Sequence, residues 1–312
     1  MAGLLLDITL TVLLLLMGWG ALHSRTIGAS IAMFVAFGLV LALTWARLGA
    51  PDLALAEAAI GAGLTGVLLL QAVSGRQPPP APNVSLREHG ASMALIGLAF
   101  LLLTAAVLSG PDALPRQQAA LPDLVAENIG ASGVSHPVTA VLLNFRAWDT
   151  LLEVLVLLVA LLGFRQLLSG NPAVQAAGAS TPTPWPLLKA WARILAPLLV
   201  VTGGYLLWAG ATAPGGAFQA GAMLAAALVI LRLSGLLPSL RWSWWPVRVA
   251  VTGGALLFLG IAMLTGFAGA GWLVYPQDSA NVLIVVIEVV ATLSIAATLS
   301  LLVIGDREDM VE

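Results

Sequence analysis

Three glutamates stand where a lipid-spanning helix ordinarily has none: Glu57, Glu153 and Glu288, each inside or at the edge of a long apolar run. A carboxylate at the middle of a bilayer costs roughly 2.5–3.5 kcal/mol on insertion scales, so such a group has a partner or a task. Two tasks suit it. Carboxylate oxygens bind hard cations, and a carboxyl group shielded from water can exchange a proton near neutral pH. Movement of a cation or a proton is the chemistry these residue types point to.

Their neighbours sharpen this. Glu57 lies in RLGAPDLALAEAAIGAGLTG (47–66), where the Pro51-Asp52 turn ends one helix and starts the next. The small residues after it, with Gly61, Gly63 and Gly66 among them, let another helix's backbone come close. Glu153 closes NFRAWDTLLE (144–153). Asp149 and Glu153 are four apart and share a helix face. Arg146 is placed to pair with Asp149, whose plainer reading is an acid that meets the dipole of its helix's first turn. A third motif, TAPGGAFQAG (212–221), carries Pro214, Gly215, Gly216 and Gln219, which predict a tight turn followed by close packing. A phosphate loop fails here, because no Lys-Ser/Thr follows. Glu288 shares its run with Thr292, Ser294, Thr298 and Ser300, whose hydroxyls can satisfy their own helix's carbonyls. Asp7 reads as interfacial.

The elements that must hold these groups follow from composition. With 60% apolar and 9% charged residues, and a mean hydropathy of +1.00, the chain reads as an all-α polytopic membrane protein. A net charge of −2 and the lack of a basic stripe give no nucleic-acid signal. There is no cysteine, and His23, His89 and His136 are scattered over predicted loops, so neither a metal site nor a cofactor is expected in this chain. Apolar stretches of about 17–25 residues predict nine spans, at 3–22, 27–46, 53–73, 91–109, 150–168, 190–209, 216–233, 247–267 and 281–304. Nothing basic precedes the first, which reads as a retained span rather than a signal peptide.

With the N-terminus outside and the C-terminus cytoplasmic, ten of the thirteen basic residues fall on the inner side, and only Arg47, Arg116 and Arg146 lie outside. That is the positive-inside distribution. The outer loop 110–146 includes an apolar piece, 138–145, expected to lie along the membrane surface. Pro/Gly/Ser/Ala-rich stretches at 74–86 and 169–187 read as spacers. They divide the chain into a three-helix unit (1–75), a two-helix unit (76–170), a linker (171–187) and a four-helix unit (188–312). Lys189 is the one lysine and borders a span, and no span is interrupted mid-membrane by an unwound stretch matched in an inverted half. A self-contained secondary transporter would be expected to show one or the other, so the chain reads as part of a pathway.

These motifs also resemble a known family. WARLGAPDLALAEAAIGAGLTG (45–66) is similar to the MbhD-type hydrogenase subunit, found also in the C-terminal extension of the large MrpA antiporter subunit. AVLLNFRAWDTLLEVLVLL (140–158) resembles the MbhE-type segment that follows it there. GGYLLWAGATAPGGAFQAGAMLAAALVILRL (203–233) resembles the MrpB/MnhB family. Two departures stand out: Ala217 replaces the third glycine of a Pro-Gly-Gly-Gly-Phe-like turn, and Glu288 sits where small or aliphatic residues are expected. The resemblance implies an MbhD–MbhE–MnhB fusion in the cytoplasmic membrane of a bacterium or archaeon. It implies a role in an Mrp-type Na⁺/H⁺ antiporter, beside MrpA- and MrpD-like large subunits and an MrpC-like small one. On that reading Glu57, Glu153 and Glu288 border an ion or proton path, with Asp52, Arg146 and Asp149 near its outer end. A subunit of a redox-driven pump and a purely structural scaffold are the alternatives.

Overall fold

The computed structural model describes residues 2–73, 121–169, 186–238, 240–268 and 271–305, with 97, 98, 101, 102 and 105 besides. The proline-rich spacer 74–86 lies outside the described residues, as do 170–185 of the second spacer and most of the expected fourth span, 91–109; the last two residues expected in the linker, 186 and 187, instead open a helix. Residues 1–75 and 128–312 form one compact unit and residues 76–127 a second. Of the second, the helix α4 (Leu121–Asn128) is the main described part.

In the larger unit α1 spans Ala2–His23, α2 Ile27–Arg47 and α3 Pro51–Val73. A short segment, α5, starts as Pro137–Ala140 and continues as Val141–Phe145. Then come α6 (Ala147–Ser169), α7 (Pro186–Ala209), α8 (Ala217–Leu233), α9 (Trp245–Phe267) and α10 (Ala280–Ile304). Seven of these helices are long and apolar enough to cross a membrane, and α8 is a shorter apolar helix. The chain is an all-α, multi-pass membrane protein, as its composition requires.

The core lies on α10. Helices α6, α8 and α9 all pack on it, and Ile284, Ile287, Glu288, Ile295 and Leu299 are buried. Glycines allow the close approach. A β-carbon on Gly221 of α8 would stand 2.7 Å from Ile295 Cγ2, and one on Gly254 of α9 would stand 2.7 Å from Ser294 Cβ. The α10 hydroxyls divide between two roles. Thr292 Oγ1 donates to Glu288 O at 2.7 Å within the helix, whereas Ser294 Oγ donates across to Val251 O at 2.6 Å. By contrast Leu10 is the one buried side chain described for α1, which packs on α2.

Segment α5 departs from expectation. Val138 and Phe145 are exposed, but Ala140 and Leu143 are buried in a cluster with Leu151, Phe258, Tyr275 and Ile284. The piece is thus half inserted between the helices rather than laid along the surface, because small Ala140 and the apolar faces of α9 and α10 leave room for it.

Tyr275 of the α9–α10 loop is 6% exposed, and its hydroxyl finds no hydrogen-bond partner among the described residues. Burial pushes its phenol above the ordinary range. Tyr275→Phe is therefore expected to stabilise the chain by about 1 kcal/mol, by removing an unpaired buried hydroxyl. A phenol with a raised folded pKa contributes fully below its unfolded value and loses that contribution as pH climbs past about 10. The variant should then lose less stability than the wild type in alkali. Melting temperatures in detergent at neutral and alkaline pH read both effects.

Candidate functional site

Pro51 occupies the first turn of α3, where its missing N–H costs nothing, and Asp52 follows it, buried. Asp52 Oδ1 accepts the Gly215 N–H at 3.1 Å, Oδ2 lies 2.9 Å from His136 Nε2, and the Asp52 carbonyl accepts from Gln219 Nε2 at 3.4 Å. One residue thereby ties together three stretches distant in sequence. His136 is held in turn by its backbone: its N–H and that of Ser135 both donate to Ala211 O, at 3.1 and 3.0 Å. Thr139 Oγ1 donates to Gly210 O.

The turn that Asp52 grips is built by glycines. Gly216 has φ of +109°, a conformation other residues rarely adopt, and its N–H donates to Leu206 O at 2.9 Å. A β-carbon on Gly210 would lie 2.7 Å from Gly216 Cα, so the two backbones nearly touch. The Glu288 carboxyl fills the space the missing side chains leave: its Oε1 lies 3.1 Å from the β-carbon position of Gly210 and 3.3 Å from that of Gly216. Gln219 Oε1 lies 3.8 Å from the latter position. Asp52, His136, Gln219 and Glu288 thus gather around the turn 214–216. Glu288 is 3% exposed, and among the described residues its carboxyl takes part in no hydrogen bond or ion pair.

Glu57 opens a π-helical stretch, Glu57–Leu64, inside α3. The wider turn ends at Thr65, whose N–H and hydroxyl both bond to Ile60 O. π-Helical turns recur at functional sites. The Glu57 carboxyl folds over Gly61 and reaches α2, with Oε1 3.2 Å from the β-carbon position of Gly38. Ala62 is wholly buried there, its Cβ 2.9 Å from the same Gly38 position, and Gly66 meets Val35. Ala59, Ile60 and Leu64 pack elsewhere, in a cluster with Ala222 and Phe218 of α8 and Ile295 of α10. Gly63 abuts the Ala58 carbonyl of its own helix.

A second π-helical turn, Val141–Phe145, ends with the Arg146 N–H donating to Val141 O at 2.8 Å. Arg146 and Asp149 then form an ion pair, Nη2 to Oδ2 at 2.6 Å. Glu153, one turn on, is exposed between exposed Leu152 and Val156. The three glutamates occupy three different settings: Glu57 against α2, Glu288 against the α7–α8 turn, and Glu153 on the outer face of α6. His136 escapes sequence reasoning, because its partner Asp52 is 84 positions away. Among the described residues no three His, Asp or Glu side chains converge as metal ligands.

Residues 12–78 match the MbhD family of MBH components, and residues 187–306 the family described as a domain related to the MnhB subunit of Na⁺/H⁺ antiporter. Among solved structures, a chain of the Mrp complex from Dietzia sp. DQ12-45-1b is 26% identical over 97% of this chain, with a TM-score of 0.76. The chain is a fusion of an MbhD-like and an MnhB-like segment. It spans 35% of the length of that Mrp-complex chain. A chain of the membrane-bound sulfane sulfur reductase, an archaeal respiratory membrane complex, shares the fold at 22% identity. That match covers 70% of this chain and 97% of the other, with a TM-score of 0.52. No curated relative matches. The MbhD-like segment supplies Asp52 and Glu57, the MnhB-like segment supplies Gly215, Gly216, Gln219 and Glu288, and His136, Asp149 and Glu153 lie between them. The two bonds from Asp52 to Gly215 and Gln219 therefore join one family segment directly to the other.

Proposed function

We propose that this fusion is a membrane subunit of an Mrp-type cation (Na⁺)/proton antiporter, working in a multi-subunit complex and not as an enzyme. Glu57, Glu153 and Glu288 line or border a hydrated ion or proton path, and Arg146 and Asp149 shape its outer end. The observation that carries this is Glu288: a carboxyl in the core of a spanning helix, in a space cleared by glycines, with no hydrogen bond or ion pair among the described residues. A group kept in a membrane core without such partners serves a task. Glu57 at a π-helical turn and Glu153 on an outer face supply further carboxylates, the latter placed to meet another subunit. MrpA- and MrpD-like large subunits and an MrpC-like small one are the partners this reading calls for. Residues 76–170 form its MbhE-like part, and the N-terminus lies outside a bacterial or archaeal cytoplasmic membrane.

Glu57→Gln tests the reading in everted membrane vesicles that hold the assembled complex. The amide keeps the shape over Gly61 and loses the exchangeable charge. Na⁺/H⁺ exchange per assembled complex is expected to fall by about a hundredfold, the lower end of what a positioned proton-transfer group contributes. Normal assembly with undiminished exchange would remove Glu57 from the path.

A further inference from the structure

Two oxygen atoms that accept but do not donate face one space at the turn 214–216. The point a β-carbon on Gly216 would occupy lies 3.3 Å from Glu288 Oε1 and 3.8 Å from Gln219 Oε1. The other end of the Gln219 amide fixes which of its atoms faces the glycine, because Nε2 donates to the Asp52 carbonyl at 3.4 Å. A flipped amide would set oxygen against oxygen there. Asp52 is itself held by Gly215 and His136. The Gln219 oxygen is thereby kept toward the space that Glu288 enters.

The donors around this space are engaged elsewhere. The Gly210 and Gly216 N–H groups both donate to Leu206 O, at 3.1 and 2.9 Å. The Gly215 N–H donates to Asp52, and the Thr139 hydroxyl to Gly210 O. Helix α8 starts beside the carboxyl at Ala217, but a helix N-terminus carries only about half a positive charge. Glu288 is 3% exposed, and no hydrogen bond or ion pair among the described residues offsets its charge. A buried carboxylate of this kind calls for a cation. Hard cations take carboxylate and amide carbonyl oxygens together and complete their shell with backbone carbonyls and water. One carboxylate balances a monovalent ion, and among the described residues no three His, Asp or Glu side chains converge to hold a divalent one.

We infer that Glu288 and Gln219 together bind a monovalent metal cation over Gly216, and that a proton competes with it for the same carboxyl. Either one neutralises Glu288. Gln219 Oε1 is the oxygen placed to ligate the cation or to accept the carboxyl O–H, so this glutamine is a ligand as well as a packing residue. The inference rests on the proposed path in taking Glu288 as a group that acts. Other titratable groups on the helices packed against α10 are occupied or distant. Asp52 is bonded to Gly215 and His136, Asp149 to Arg146, Glu57 lies against α2, and Glu153 stands on an outer face. The basic groups of α6, α7, α8 and α9 sit at the far ends of those helices.

Binding of radioactive Na⁺ to the purified full chain in detergent, read by scintillation proximity at neutral and acid pH, tests it. The wild type should bind Na⁺, and acid should displace it. Glu288→Gln should abolish binding. Gln219→Met, similar in volume but without an oxygen, should weaken it about tenfold, the loss of one charge-assisted contact. Asp123→Asn, which removes an exposed acid of α4, should leave it unchanged. No Na⁺ binding by the wild type, undiminished binding by either site variant, or binding indifferent to pH overturns the site. Should Gln219→Met not be recovered, Gln219→Asn, which draws the oxygen back by one methylene, replaces it with the same expectation. Exchange by the assembled complex separates this site from the path. Exchange lost in Glu288→Gln, from a chain that never bound Na⁺, overturns the site and leaves the path standing. Na⁺ held by Glu288 and Gln219, with exchange undiminished in Glu288→Gln, supports the site and removes Glu288 from the path.

Discussion

Asp52→Ala is expected to lower the stability of the chain by about 3 kcal/mol. The carboxylate is buried and serves two donors or near-donors at once, the Gly215 N–H at 3.1 Å and His136 Nε2 at 2.9 Å. Its removal orphans both in a place that water does not reach readily, and each orphaned polar group costs roughly 1–3 kcal/mol. The damage should spread, because Gly215 belongs to the turn that faces Glu288. Asp52→Asn separates charge from hydrogen bonding. An amide can still accept from Gly215 and can donate to a neutral His136 imidazole, so a loss below about 1 kcal/mol is expected if the contact works as a neutral bond. A loss as large as that of Asp52→Ala would show that the carboxylate charge, and not hydrogen bonding alone, holds the joint. Unfolding temperatures of the detergent-solubilised chain give the comparison, and Asp52→Ala melting with the wild type would show that the segments are held together elsewhere.

The spans were legible, because a bilayer demands about twenty apolar residues in a row whatever the fold around them. The stretch expected at 27–46 is the helix Ile27–Arg47, and that expected at 281–304 is Ala280–Ile304. The start of α7 was less so: Lys189 set the expected edge, yet the helix begins at Pro186, since a long basic side chain can reach back to the interface. Local partners were legible too, as Arg146 and Asp149 show. Contacts across the chain were not. Nothing near His136 announces Asp52, and nothing around Ala140 and Leu143 reveals that α9 and α10 will bury them. The π-helical turn at Glu57 has only faint signals, Gly61 and Gly63, which allow a wider turn without requiring one. The TAPGGAFQAG sequence by itself predicts a tight turn and close packing. Its glycines are indeed structural, but what they make room for is the carboxyl of Glu288, 72 positions beyond Gly216.

Glu288→Gln is expected to cut Na⁺/H⁺ exchange per assembled complex by about a hundredfold while the amount of complex stays near that of the wild type. The side chain is 3% exposed, and its Oε1 sits 3.1 and 3.3 Å from where β-carbons of Gly210 and Gly216 would be. A glutamine has the same outline and fits that space without moving either backbone. A scaffold role and a transport role part company here. If the acid only fills space between α10 and the turn, the amide does so equally well and turnover is unchanged. If the acid passes a proton or coordinates a cation, the amide is blind to both, and no rearrangement of shape repairs it. Gly216→Ala provides the complementary change. It leaves the acid in place, forces a β-carbon to 3.3 Å from its oxygen, and puts alanine at a φ of +109°. That variant should lose assembly first, by roughly 1–3 kcal/mol of backbone strain, with exchange falling in proportion to the complex that remains. Exchange rates normalised to assembled complex, with both variants side by side, separate a group that acts from the turn that houses it.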